Sequence, residues 1–138
     1  MRKNGFSLVE VLIAVMLVGL AIASLVAANI SFTKANGFGA DLSTAEFLIE
    51  QIKERTVLTS YADLHSFDDA VFSPPINAGG QVLNGFDGYS QQIFVENVSD
   101  TDFGSVVPDD SSNFLRITAK VLLSSKQISS SSWIRSQY

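Results

Sequence analysis

Glu10 is an acid placed in oil. It opens a run, residues 11–28, in which every side chain is apolar or small and Ser24 carries the lone hydroxyl. No other charge follows until Lys34. A run of this length crosses a bilayer as a helix, which takes about 20 residues. A carboxylate inside a membrane helix costs roughly 2.5–3.5 kcal/mol on insertion scales, so such a residue calls for a partner and points to function. Arg2 and Lys3 lie in front of the run, where they hold the N-terminus on the cytoplasmic side. The chemistry open to Glu10 is ion pairing with a positive charge created at its own depth, on this chain or on a neighbour.

Other reactive groups are sparse. His65 is the single histidine, with Asp63, Ser66 and Asp68 beside it. A Ser-His-Asp site needs groups converging in defined geometry, usually from distant parts of a chain. Four near neighbours in a turn read as a solvated loop, so no catalytic residue is assigned. One histidine and no cysteine leave zinc without ligands. Asp100, Asp102 and Gly104 begin like a calcium loop, but its sixth and twelfth positions hold Ser105 and Ser111 in place of Gly and Glu. Asp109 and Asp110 close the same loop and can add oxygens. These four aspartates are a weak calcium candidate against the plainer reading of an acidic solvated loop. No phosphate loop or dinucleotide motif is present, and no cofactor is implied.

The elements that must position Glu10 come next. Residues 6 to about 58 read as one long helix. At 1.5 Å per residue it spans about 80 Å against a hydrocarbon core of about 30 Å, so its second half must leave the membrane. There Phe38, Leu42, Ala45, Ile49 and Ile52 recur at three- and four-residue spacing, widened by Phe47 and Leu48. That is an amphipathic stripe on which a sheet can dock. Glu46, Glu50 and Glu54 form like-charge pairs that do not help an isolated helix, so tertiary packing must hold it. Asn36, Gly37 and Gly39 are expected to interrupt the helix, each glycine costing about 1 kcal/mol relative to alanine. They are the candidate hinge.

Residues 60–88 read as irregular, with Pro74-Pro75 extended and turns at Gly79-Gly80, Asn84-Gly85 and Asp87-Gly88. Val82 and Leu83 suggest a short strand. Residues 89–98 read as a strand. Residues 114–123 are the clearest one, with Leu115, Ile117, Ala119, Val121 and Leu123 facing one way and Arg116, Thr118 and Lys120 the other. A turn at Ser124-Ser125-Lys126 leads to a last strand, residues 127–135, with Ser129 to Ser132 as an edge surface and Trp133 as a packing residue. Hairpins joined by short turns make the sheet antiparallel.

Composition narrows the classes. About 80 residues beyond the helix make a marginal core, so the sheet is expected to use the helix as part of it. There is no cysteine among the 138 residues, so packing alone must hold an exported domain. The formal charge is -5. Losing Arg2 and Lys3 would leave 7 basic against 14 acidic side chains, a formal -7 before any new amine is counted. Nucleic-acid binding wants a basic cluster, and none is present.

Gly5, Phe6 and Glu10, behind a short basic leader and before an apolar helix, resemble the class III signal of type IV prepilins and type II secretion pseudopilins. The resemblance implies that prepilin peptidase cuts between Gly5 and Phe6 and that the new amine on Phe6 is methylated. Glu10, then fifth in the mature chain, would pair with the methylated N-terminus of an adjacent subunit and set axial register. It also implies partners: the peptidase, a major pilin, other minor pilins or pseudopilins, the inner-membrane assembly platform and the membrane itself. Many major pilins close a loop with a disulfide, which this chain cannot form, so a minor subunit is favoured. Tyr61-Ala62-Asp63-Leu64 and the final Trp-Ile-Arg-Ser resemble PilV-type minor pilins and the pseudopilin I group. Some pseudopilins bind calcium in a loop.

The expected fold is therefore α+β and pilin-like: a long N-terminal helix, membrane-spanning in its first half, packed against a small C-terminal antiparallel sheet. Residues 1–5 are the leader, 6–33 the transmembrane and filament-core helix, and 34–138 the periplasmic domain. The expected place is the inner membrane with the N-terminus cytoplasmic, then a pilus or pseudopilus. The expected role is a structural filament subunit, a minor type IV pilin or alternatively a minor pseudopilin, and not an enzyme. Three other readings stay open: a secretory signal cut near Ala21-Ile22-Ala23, an uncut membrane anchor, and a membrane-anchored periplasmic enzyme or binding module.

Overall fold

The computed structural model describes residues 7–137. The chain divides into two compact units, Met1–Ala40 and Asp41–Tyr138. Helix α1, Leu8–Leu58, is the one element that contributes to both.

In the first unit the helix buries nothing. Every large apolar side chain from Leu8 to Phe38 is at least half exposed. This stretch is long and apolar enough to cross a membrane by length and composition. Its few hydroxyls are satisfied within the helix. Ser24 Oγ donates to Leu20 O at 2.8 Å, Ser31 Oγ to Ala27 O at 3.1 Å, and Thr33 Oγ1 to Asn29 O at 2.9 Å. Bonding back to the preceding turn leaves no polar side chain there needing water.

The expected interruption at Asn36, Gly37 and Gly39 is corrected: α1 runs through all three unbroken. Glycine lowers helix propensity without removing the backbone donor or the helical dihedrals, so flanking turns carry the ladder through it. A Cβ added at Gly37 or Gly39 would meet nothing within 4 Å.

In the second unit, the rest of α1 lies on a four-stranded antiparallel meander. Its strands are β1 (Ala70–Phe72), β2 (Tyr89–Asn97), β3 (Phe114–Leu123) and β4 (Lys126–Ser136), in the order β1-β2-β3-β4. The register pairs Ile93 with Ala119 and Val95 with Ile117 across β2 and β3, and Ile117 with Trp133 across β3 and β4. The two periodicities meet in one core. Ala45, Leu48, Ile49 and Ile52 come from the helix, spaced three and four apart. Ile93, Val95, Leu115, Ile117, Ala119 and Val121 come from the strands, spaced two apart. Leu64 and Ile76 close its margins, and Trp133 packs against it. The helix thus completes a core that the sheet alone would not bury, and the α+β architecture is consistent with a pilin-like fold.

The predicted stripe is shifted. Phe38 is 56% exposed and Leu42 38%, while Leu48 and Thr56 are fully buried. The core covers the helix only from Ala45 onward. Thr56 fits there because its hydroxyl donates to Lys53 O at 2.8 Å.

The stretch read as irregular also holds more order than expected. Tyr61–Phe67 forms a 3-10 helix, and Ala70–Phe72 is a strand paired with β2. The expected strand at Val82 and Leu83 reduces to one bridge, Ile76 with Val82. Asp68 explains why β1 is short. Its Oδ1 accepts the Val95 N–H at 2.9 Å, so a side chain serves the donor that a longer strand would have paired.

Polar contacts pin helix to sheet around the core. Tyr89 Oη donates to Asp41 Oδ1 at 3.0 Å, and Ser129 Oγ donates to Glu46. Gln51 Oε1 accepts from Ala78 N at 3.2 Å, and Arg55 Nη1 donates to Ala78 O at 3.3 Å. Gln91 sits at the centre, fully buried on the inward face of β2. Its Oε1 accepts from Ile76 N at 2.8 Å, and its Nε2 donates to Leu48 O at 3.0 Å and Ile76 O at 3.1 Å. One amide therefore joins helix, loop and strand with both its ends satisfied.

Candidate functional site

The start of α1 is where charge and apolar surface meet. Val11 N–H donates to Ser7 O at 3.2 Å, the first helical bond among the described residues. Ser7 is therefore the N-cap and Glu10 the third helical position. The two side chains serve the free backbone donors reciprocally. Ser7 Oγ accepts from Val9 N–H at 3.2 Å, and Glu10 Oε2 accepts from Ser7 N–H at 3.4 Å. This is a capping box, Ser-x-x-Glu, built in front of an apolar helix. The carboxylate also lies at the positive end of the helix dipole.

Glu10 makes neither of the salt bridges found among the described residues, which join Lys53 to Glu50 at 3.6 Å and Arg116 to Glu96 at 2.9 Å. Its neighbours in the first two turns, Leu8, Val9, Val11 and Leu12, are all exposed apolar side chains. The arrangement can hold a lone carboxylate at a helix start and present it to an incoming cation. Gly5 and Phe6, the expected cleavage pair and methylation site, lie outside the described residues.

The other sequence candidates do not converge on a reactive set. Ser66 Oγ donates to Asp63 O at 2.6 Å, and Asp63 Oδ2 accepts from Ser60 Oγ at 2.6 Å. Both groups are engaged locally, within one turn of 3-10 helix and without His65. In the acidic loop, Asp102 is held by its own turn. Its carboxylate accepts Gly104 N–H at 3.0 Å and the Ser105 hydroxyl, which together hold its pKa below the ordinary carboxylate value. Asp100, Asp109 and Asp110 do not join it: among the described residues no three His, Cys, Asp or Glu side chains gather closely enough to hold a metal ion.

The outward sheet face carries an open depression of about 380 Å³, lined by Asp68, Asp69, Phe94, Glu96, Thr118 and Lys120. Its groups are largely engaged. Lys120 Nζ lies 4.5 Å from the Phe94 ring centre, Glu96 pairs with Arg116, and Asp68 serves Val95 N–H.

Residues 1–28 match the family model described as the prokaryotic N-terminal methylation motif. The chain carries a type IV prepilin-like signal. No curated protein and no solved structure matches the chain. The matched span contains the whole leader, Glu10 and most of the apolar run. It supports a type IV pilin- or pseudopilin-like prepilin and points to a structural, pilin-type protein. It implies processing by prepilin peptidase and assembly with pilins, and with the apolar helix it is consistent with membrane anchoring followed by a pilus.

Two residues escape a reading of motif and period alone. Ser7 is one, although Ser-x-x-Glu before an apolar run is itself a recognised cap signal. Gln91 is the other. Its signal is weak: a polar residue two positions before Ile93 on an alternating strand.

Proposed function

We propose that this protein is a minor type IV pilin of the PilV-like kind, a structural subunit of a filament. It enters the inner membrane with its N-terminus cytoplasmic and residues 34–138 in the periplasm. Prepilin peptidase hydrolyses the Gly5–Phe6 bond, and the Phe6 amine is then methylated and keeps its positive charge. The mature subunit is drawn from the membrane into the filament, where lipid around residues 6–33 is exchanged for neighbouring apolar helices. The sheet faces outward. Asn36, Gly37 and Gly39 are the place where the helix yields if assembly bends it.

The observation that carries this reading is Glu10. It lies inside the matched motif and is the only charged side chain between Lys3 and Lys34. Cleavage creates a cation four residues in front of it, at the same depth. An intermolecular pair between that amine and Glu10 sets register because a subunit seated wrongly leaves a charge buried and unpaired. The lack of cysteine supports a minor subunit over a major pilin.

Intact-mass analysis of the membrane-extracted protein tests the processing. The expected mature form begins at Phe6 and carries one added methyl. Gly5→Ala leaves the precursor uncut. Glu10→Ala still inserts in the membrane and is cut, but does not enter filaments. A mature form beginning after residue 23 would remove both charges of the pair and end this reading in favour of an ordinary secretory signal.

A further inference from the structure

A lone carboxylate at a lipid-exposed helix start has two fates. It can swing outward among apolar side chains, or it can fold back over the start of its own helix. The geometry selects the second. Glu10 Oε2 reaches back three residues to Ser7 N–H, at 3.4 Å, while Ser7 Oγ holds Val9 N–H, at 3.2 Å. Each bond depends on the same backbone turn, so the serine that fixes the turn also fixes where the carboxylate points. That direction is toward residue 6, the position from which cleavage frees an amine.

We infer that Ser7 is a positioning residue for Glu10: the Ser7–Glu10 capping box parks the carboxylate against the helix start in the unassembled subunit, aimed at the N-terminal end where its cationic partner must arrive. This rests on the proposed pairing of Glu10 with a processed N-terminus and adds a step to it. Before assembly the carboxylate has a backbone donor and the helix dipole as partners, which lowers the penalty of waiting in lipid. On assembly it exchanges the neutral N–H for a full positive charge. A charge-assisted bond is the stronger of the two, so the exchange runs toward the filament. The hydroxyl of Ser7 keeps the turn formed throughout.

The test uses the processed full-length chain in lipid nanodiscs, labelled for NMR, together with filament incorporation in cells. Two signals report the box: amide exchange at Ser7 and Val9, and the carboxyl carbon resonance of Glu10. Ser7→Ala is expected to speed Val9 exchange about five-fold, the factor that corresponds to losing a typical N-cap. It is also expected to move the Glu10 carboxyl resonance and to lower incorporation by a similar factor. Ser7→Thr keeps a hydroxyl at the cap and restores all three.

Glu10→Gln separates this inference from the reading beneath it. Glutamine also accepts in a capping box, so Ser7 and Val9 amides stay protected while the charge is lost. The variant is expected to keep the box and fail to assemble. If it assembles normally, the charge pair is wrong whatever the box does. If Ser7→Ala leaves the Glu10 carboxyl resonance and incorporation unchanged, the positioning role is wrong while the charge pair stands. A change in Val9 exchange without movement of the Glu10 resonance would reduce Ser7 to an ordinary cap and likewise overturn the inference.

Discussion

Gln91 occupies an inward position of β2 where alternation asks for an apolar residue, and it is fully buried. Its place could not be read from the strand's own pattern, because the reason for it lies in Ile76 and Leu48, which the fold brings from elsewhere. Gln91→Leu keeps the volume and removes three hydrogen bonds, leaving the Ile76 N–H and C=O without partners. The expected loss is about 1–3 kcal/mol for each buried group left unserved, read as a lower urea midpoint. Tyr89 gives a residue-scale test of a different kind. Burial raises its pKa above 10.0, and its bond to Asp41 raises it further. The folded chain then binds the phenolic proton more tightly than the unfolded one, so stability is intact below pH 10 and falls as pH climbs through the raised value. Tyr89→Phe should flatten part of that alkaline loss, measured by denaturant midpoints above and below pH 10. An unchanged slope in the variant would show that the phenol is not responsible.

At the scale of elements, legibility followed locality. The long helix and β3 could be read because their periods are strong and uninterrupted: apolar residues three or four apart in one, two apart in the other. Ala70–Phe72 and the 3-10 turn could not. Three residues show no period, and their order depends on Asp68 meeting Val95 N–H and on Leu64 entering the core. The helix stripe was placed too early for a similar reason. Nothing local to Phe38 or Leu42 says where the core stops covering the helix. Leu48→Ala should therefore cost about 2–5 kcal/mol, as a fully buried leucine in a packed core does. Phe38→Ala, at an exposed position, should leave the urea midpoint of the globular unit unmoved within about 0.5 kcal/mol. The glycines test the proposed hinge. Because a Cβ fits freely at Gly37 and Gly39, the double Ala variant should raise helix stability by roughly 1 kcal/mol per site. If assembly bends the helix there, the same variant should lower filament incorporation while processing at Phe6 continues. Full incorporation with higher helix stability would remove these residues from the mechanism.

For the whole molecule, the two units draw on different sources of stability. The first has no buried side chain among its described residues, so its helix is held by its own backbone bonds and by whatever apolar medium surrounds it. The second holds the entire core, including Ala45, Leu48, Ile49 and Ile52 from α1. A subunit made this way can change what touches its first unit without disturbing the packing of its second, which is what passage from lipid to a bundle of helices would demand. The consequence can be measured. In detergent micelles, urea should unfold residues 41–138 cooperatively, reported by the fluorescence of Trp133, the single tryptophan, which packs against the core. The helical signal at 222 nm should fall only in part at that midpoint, leaving a residue that corresponds to residues 8–40. That remainder should melt at higher denaturant or with loss of the micelle, because a helix in an apolar medium has no competing water for its backbone groups. Complete loss of helix at the tryptophan midpoint would mean that the first unit depends on the core after all. An exchange of surroundings would then disturb the globular fold, and the proposed passage into a filament would need the sheet to unfold on the way.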